Sequence, residues 1–461
     1  MTIWQPTHIP DISPRYRAIA EAVIDAVARG ELPGGSQLPP QRQLAWKLGV
    51  TVGTISRAYS LLQELGMLSG EVGRGSFIRD EAARAESARL APAEDGLIDL
   101  TRAVPILEQQ GPLLAKTLRR IADQPDLAAM LAYPPGDGHR PFREAGAAWM
   151  KRVGVDAEPD LMALANGNQQ GFSVAIGMLA RPGDTILSEG MTWPGFAGAA
   201  RMFGVRLGGV DFDEHGMRPD ALERAVSRTG ARVVVVVPAL HNPTSAVMPE
   251  ERRRAIVEVA RRHDLMLIED AVYAHQIAEP VVALASLAPE RTVYLSSLSK
   301  SISGGLRVAW VKAPEQLRGA LTDAVHSLYI QPPPLTFQVA RQWIDDGTAD
   351  RLCADQRRAA ERRQRIAREL LDGLDYLAHP QSFNILLSLP QAWRAEDFVR
   401  AARSRGVSIL AAEEFVVGGY RPPEAVRISV SGARDDMLAR RGIGIVAGLA
   451  REIPPSRGTV I

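Results

Sequence analysis

The spacing of apolar residues changes along the chain, and each change marks a different kind of structure. In residues 13–30, Ile19, Val23, Ile24 and Val27 recur at helical spacing; Ser13 and Pro14 open the stretch and Gly30 closes it. A second helix is predicted over Gln41–Leu48 and ends at Gly49. A third runs from a Thr51 cap to about Leu65, where Gly66 stops it. The following MLSGEVGRGSFI reads as two short strands around a glycine-rich turn. Three helices followed by a hairpin predict a winged helix-turn-helix over residues 10–80, with the third helix as the element that enters a major groove.

Residues 81–96 are small and charged, with almost no large apolar side chains, and read as a linker. From Leu97 the texture becomes alternating. Helical stretches separate the β-rich runs DTILSE, VRLGGVDF, RVVVVVP, LMLIED, TVYLSSLS and RVAWVK. This alternation predicts a mostly parallel, doubly wound α/β sheet in a domain spanning 97–461. A smaller α+β lobe is expected over about 335–461. It opens on one long charged helix and ends on strand-like FNILLSL and VRISVS.

Composition narrows the class without naming a function. The chain has 461 residues, 46% of them apolar and 23% charged, as in a globular protein of more than one domain. No apolar run approaches the roughly 18 residues that span a bilayer, and the start of the chain lacks a signal-peptide pattern. The single Cys353 excludes an intramolecular disulfide, and the eight histidines show no metal-ligand spacing. A cytoplasmic protein without a membrane partner is expected. Net charge is +1, and residues 1–80 hold eight basic against seven acidic side chains, so charge alone does not mark the first domain as DNA-binding.

Motifs do. Tyr16, GELPGG, LPPQRQLAWKLGV, TISRAY and GRGSF follow one another with the spacing of the GntR family of winged-helix regulators, which residues 14–78 resemble. The resemblance implies double-stranded promoter DNA as a partner. Arg42 would pair with phosphate through its planar fork. Thr51, Gly53 and Thr54 would open the reading helix, with Arg57 further along it. Arg74 would enter a minor groove from a wing that Gly73 and Gly75 let turn tightly. Val52 stands where the family often has arginine, which removes one polar contact to DNA.

Residues 97–435 resemble the fold type I aminotransferases that use pyridoxal 5'-phosphate (PLP), and a GntR head on such a domain resembles the MocR subgroup of regulators. The carriers are SLSKSISGGLR, LIEDAVY, HNPT, GNQQ, MTWPGF, YPPGDGHRPFR and VRISVSG. The resemblance implies that Lys300 forms the Schiff base with PLP and that Asp270 keeps the ring nitrogen protonated. It implies that Tyr273 and Asn242 bond the ring hydroxyl oxygen and that Trp193 stacks on the ring. Ser297, Ser299 and Arg307 would hold the phosphate, joined by Gly167, Asn168 and Gln169 at a helix N-terminus. Tyr133 would reach a phosphate in the partner of a homodimer. Arg427 would clamp the carboxylate of an amino acid ligand. Ser245 departs from the glycine usual after N-P-T.

The implied function is a PLP-binding transcription regulator. It would sense an amino acid, an amine or PLP itself by exchange at Lys300 and alter promoter binding. Two alternatives stay open: a working aminotransferase carrying a winged-helix head, and a dimerisation scaffold that binds no PLP.

Overall fold

The computed structural model describes Trp4, Pro6, Ile9 and residues 13–28, 31–33, 35–64, 67–71, 75–78, 96–125, 127–133 and 138–453. It divides into two compact units.

The first unit holds helices α1 (Arg15–Ala28), α2 (Gln41–Leu48) and α3 (Val52–Glu64) and the antiparallel strands β1 (Leu68–Glu71) and β2 (Gly75–Ile78). The apolar positions read from the sequence converge here. Ile19, Val23, Leu44, Ile55, Tyr59 and Leu62 form its core. Gly49 ends α2 in the left-handed region at φ 62°, as a helix-terminating glycine should. Thr51 caps α3, its hydroxyl accepting from the Thr54 amide at 3.2 Å. Gly75 sits at φ 114°, and a β-carbon there would lie 2.7 Å from the Gln37 amide nitrogen. Gly73, Arg74 and linker residues 81–95 fall outside the described residues.

The second unit is built on seven strands: β3 (Met162–Ala165), β4 (Thr185–Glu189), β5 (Arg206–Val210), β6 (Val233–Val236), β7 (Met266–Asp270), β8 (Thr292–Ser297) and β9 (Ala309–Lys312). Their order in the sheet is β3-β9-β8-β7-β6-β4-β5, and β9 is antiparallel to both its neighbours. The apolar runs are legible because the central strands are buried on both faces: all four residues of β6 are buried. Strand β3 was not foreseen, since MALA carries no β-branched residue and no alternation.

The segment from about 335 differs from its reading. Its single long helix is two, Pro334–Asp345 and α4 (Thr348–Leu370), parted by Gly347 at φ 73°. Phe337, Trp343 and Leu352 pack with Trp149 and Trp310 of the larger lobe. The smaller lobe's core gathers from Ala367 onward, around the antiparallel strands β10 (Tyr376–Ala378), β11 (Asn384–Ser388), β12 (Leu410–Ala411) and β13 (Ala425–Ser429) in the order β10-β11-β13-β12. It also takes in Ile98 and Leu100, because a two-residue strand at Ile98–Asp99 pairs in parallel with Val407–Ser408.

Candidate functional site

On the head, Arg42, Thr51, Gly53 and Arg57 are exposed and Thr54 is half-buried, so the start of α3 faces outward. Val52 is 44% exposed among them, an apolar spot on a polar surface.

In the second unit, strand ends bring the chemical groups together, as the carboxyl ends of a doubly wound sheet do. β7 ends at Asp270 and β8 runs into the turn that carries Lys300. Asn168, Gln169, Trp193, Asn242, Asp270, Tyr273, Ser299, Lys300 and Arg307 line one recess, together with Val237 and Val272. The recess holds about 640 Å³ of empty space, part of it open to solvent.

One end of the recess is built for an anion. Helix Asn168–Leu179 begins there, with Gly167 as its first flanking residue at φ 83°. The first-turn amides of Asn168 and Gln169 have no intrahelical acceptor. Beside them stand Ser299 and the Arg307 guanidinium, which donates to the Asn166 carbonyl at 3.1 Å. A β-carbon on Gly167 would lie 2.0 Å from an Arg307 nitrogen, so only glycine leaves the guanidinium room. Ser297 does not line the recess. Its hydroxyl lies 2.8 Å from that of Ser299 and donates to the Val308 carbonyl at 3.0 Å, which braces the turn from behind.

The same recess carries a buried carboxylate. Asp270 Oδ1 accepts from the Asn168 side-chain amide at 2.7 Å and from the Val272 amide at 3.1 Å, leaving Oδ2 to the recess. Burial pushes this carboxyl up to about 6, against the pull of those two donors and of Lys300. Asn168 thus acts through its side chain as well as its backbone, which the sequence did not reveal. Burial, aided by Arg427 and Arg307, lowers the Lys300 amine to about 8, with Asp270 opposing. Burial raises the Tyr273 hydroxyl to about 12, against the opposing pull of Arg427 and of the Asn384 amide, and no bond of full hydrogen-bond geometry satisfies that hydroxyl.

Arg427 lies on β13, buried, and donates to Asn242 Oδ1 at 3.3 Å and to the Thr101 carbonyl. Lys300 Nζ donates to the Ala103 carbonyl at 2.5 Å. Between them the Ser429 hydroxyl donates to the Arg102 carbonyl at 3.0 Å. Three successive carbonyls of one segment are therefore held by Arg427, Ser429 and Lys300, of which Lys300 lines the recess. Nothing in the sequence around TRAVP announces this, because the contacts are backbone ones. Tyr133 is 89% exposed, which rules out a core position for it. Ser245, at φ 65°, is buried, and its hydroxyl reaches Ser382 Oγ and the Asn384 carbonyl, both at 2.8 Å.

Among the described residues no helix is long and apolar enough to cross a membrane, and no cluster could hold a metal ion.

The model of the aminotransferase class I and II family matches residues 97–441, and that of the bacterial regulatory proteins of the gntR family matches residues 15–78. The uncharacterized HTH-type transcriptional regulator YdeF of Bacillus subtilis is 29% identical over 98% of this chain and 97% of its own. The probable rhizopine catabolism regulatory protein MocR of Rhizobium meliloti is 24% identical over 93% of this chain and 92% of its own. Among solved structures, the kynurenine aminotransferase of Pyrococcus horikoshii superposes with a TM-score of 0.72 at 20% identity, covering 81% of this chain and 94% of that one. At that identity the likeness speaks for the fold.

Proposed function

The chain belongs to the aminotransferase class I and II family and, with its gntR-family head, to the MocR subgroup of transcription regulators, and we propose that its recess binds PLP and reads an amino acid or amine to adjust the head's grip on promoter DNA. The residues fit the cofactor. An anion end, a buried carboxylate, the Tyr273 hydroxyl, the Trp193 ring and a lysine with a lowered pKa form the donor set that a phosphorylated pyridine aldehyde needs. When bound, PLP supplies an aldehyde that condenses with primary amines. Lys300 provides an amine that loses its proton near neutrality, and Asp270 holds a negative charge against the ring nitrogen. Arg307 and the first-turn amides hold the phosphate, and Arg427 receives a carboxylate.

The observation that carries the sensing reading is the segment Thr101–Ala103. Its outer carbonyls occupy the two cations that a ligand would engage, Arg427 and Lys300. In sequence the segment begins five residues after the end of the linker, just past the strand Ile98–Asp99. A ligand that takes both cations releases the segment, which supplies the differential affinity that any switch requires. Hydrogen bonds to charged groups are worth about 1.5–3 kcal/mol each. Two of them approach the roughly 5.5 kcal/mol that inverts a 1:99 population.

A homodimer suits this reading, because paired heads match paired half-sites on DNA and because the exposed Tyr133 is free to reach a second copy. The test titrates amino acids and amines while DNA binding to the chain's own upstream region is measured, with and without PLP. A ligand-dependent change that needs PLP supports the reading. No change with any ligand refutes it.

A further inference from the structure

Asn384 combines a fixed backbone with an unused side chain. It opens β11 opposite Ser429, and two residues on Leu386 lies opposite Arg427. Alternation in paired strands puts Asn384, Leu386, Arg427 and Ser429 on one face of the small sheet. The main chain of Asn384 is held three ways. Its N–H donates to Ser382 Oγ at 2.9 Å, and its carbonyl accepts from Ser245 Oγ at 2.8 Å and from the Gln364 amide at 3.2 Å. Its side chain is fully buried, yet neither amide atom has a partner.

The groups near it share that condition. The Tyr273 hydroxyl and Arg427 Nε are also buried without partners. The Asn384 amide and the Tyr273 hydroxyl are loose hydrogen-bond neighbours that do not satisfy one another, and both that amide and Arg427 oppose the rise in the hydroxyl's pKa. Leucine would keep the branching of asparagine at this position, at a larger volume, without an unmet donor and acceptor. Buried polar groups left unsatisfied in a folded chain call for a reason. A ligand that completes the set is one.

We infer that Asn384 is a specificity-determining residue of the sensing site, donating to the carboxylate of an amino acid ligand whose other oxygen is held by Arg427. The inference rests on the proposed sensing role. The chemistry selects the ligand class. Arg427 keeps a bond from one terminal nitrogen to Asn242 and has an unpartnered Nε, so once the Thr101 carbonyl is released the guanidinium takes one oxygen of a ligand. A carboxylate presents two oxygens and takes a second donor from the neutral amide, which adds no repulsion. A simple amine presents nothing for Asn384 to hold.

The test uses the full-length protein with PLP and compares wild type with Asn384→Leu and Asn384→Asp. Binding is read from the visible absorption of the bound cofactor, with L-amino acids and with the primary amines that lack their carboxylates. Asn384→Leu is expected to weaken amino acids on the order of tenfold to a hundredfold, the range of one hydrogen bond to a charged group, and to leave the amines unchanged. Asn384→Asp is expected to weaken amino acids further, through like-charge repulsion. Unchanged amine binding shows that Asn384→Leu keeps its fold and its cofactor despite the larger side chain, so the readout is the difference between the two ligand classes. Equal losses for both ligand classes or an undiminished amino acid affinity would overturn the assignment. Failure of wild type to respond spectrally to any amino acid would overturn it together with the sensing reading. Carboxylate-selective binding without any change in DNA affinity would support Asn384 while sinking the sensing reading.

Discussion

Gly167→Ala puts the anion end of the recess to a sharp test. At φ 83° and ψ 168° this position lies in a region populated almost only by glycine. Alanine there costs about 1–3 kcal/mol in backbone strain. The new β-carbon would also lie 2.0 Å from Arg307 Nη2 and 2.4 Å from its Cζ. That clash is with the far end of a flexible side chain, so the fold yields by swinging the guanidinium away. The swing gives up the bond to the Asn166 carbonyl and takes the fork off the phosphate position. Losing one charge-assisted bond of about 1.5–3 kcal/mol corresponds to roughly tenfold to a hundredfold weaker PLP binding. Equilibrium dialysis of PLP against the apo protein gives the affinity, and calorimetric melting gives the stability. Gly230→Ala is the control. It has the same left-handed requirement at φ 65° but nothing within 4 Å of the new carbon, so it should lower the midpoint and spare PLP. A Gly167→Ala protein that binds PLP as tightly as wild type would refute the cradle argument.

Further expectations follow from other groups. The Lys300 amine is protonated and unreactive below about 8 and free above it, so the rate of PLP capture by the apo protein should rise with pH and level off above that value rather than near the 10.5 of an ordinary lysine; stopped-flow absorbance across pH 6–10 checks it. Lys300→Ala should abolish the lysine-dependent visible band and make DNA binding insensitive to amines while leaving it measurable by fluorescence anisotropy. Ser245→Ala keeps the φ 65° strain and deletes both hydroxyl bonds, whereas Ser245→Gly deletes the bonds and relieves the strain, so thermal melting should rank wild type above glycine and glycine above alanine. Arg57→Ala should weaken DNA binding similarly across sequences and reduce the salt-dependence slope by about one, if its exposed side chain meets a phosphate.

What the sequence made legible was what local physics dictates. β6 announced itself because a strand buried on both faces is apolar throughout, and β7 and β8 by the apolar runs that lead into their polar ends. Gly49 and Thr51 announced the turn of the head because they serve as a stop and a cap. Lys300 and Asp270 followed strand-like runs, as site residues in such sheets do. The features that stayed hidden depend on chain segments far apart. The backbone bonds of Thr101 and Ala103 carry no residue signature. Ser245 looked like a mild change in a turn, and its reach to Ser382 exists only once the smaller lobe is folded against it. Gly347 was read through because a single glycine among polar residues gives a weak break signal, although it takes the left-handed conformation at φ 73°. Ser297 was drawn into the phosphate set by its place in the motif, although its hydroxyl turns inward.

The pairing of Ile98–Asp99 with Val407–Ser408 has a consequence for how the protein is made. During synthesis the head and its three helices emerge first. The segment behind them then waits. Its sheet partner at 407–408 and the Arg427 and Ser429 groups that hold its carbonyls arrive some three hundred residues later. Until then a nascent chain carries a folded head on a tether with no anchor. The closing of that long loop, slow as such closures are, is the step that joins the head's chain to the site, so a regulator truncated before the smaller lobe would keep the head and lose the instruction.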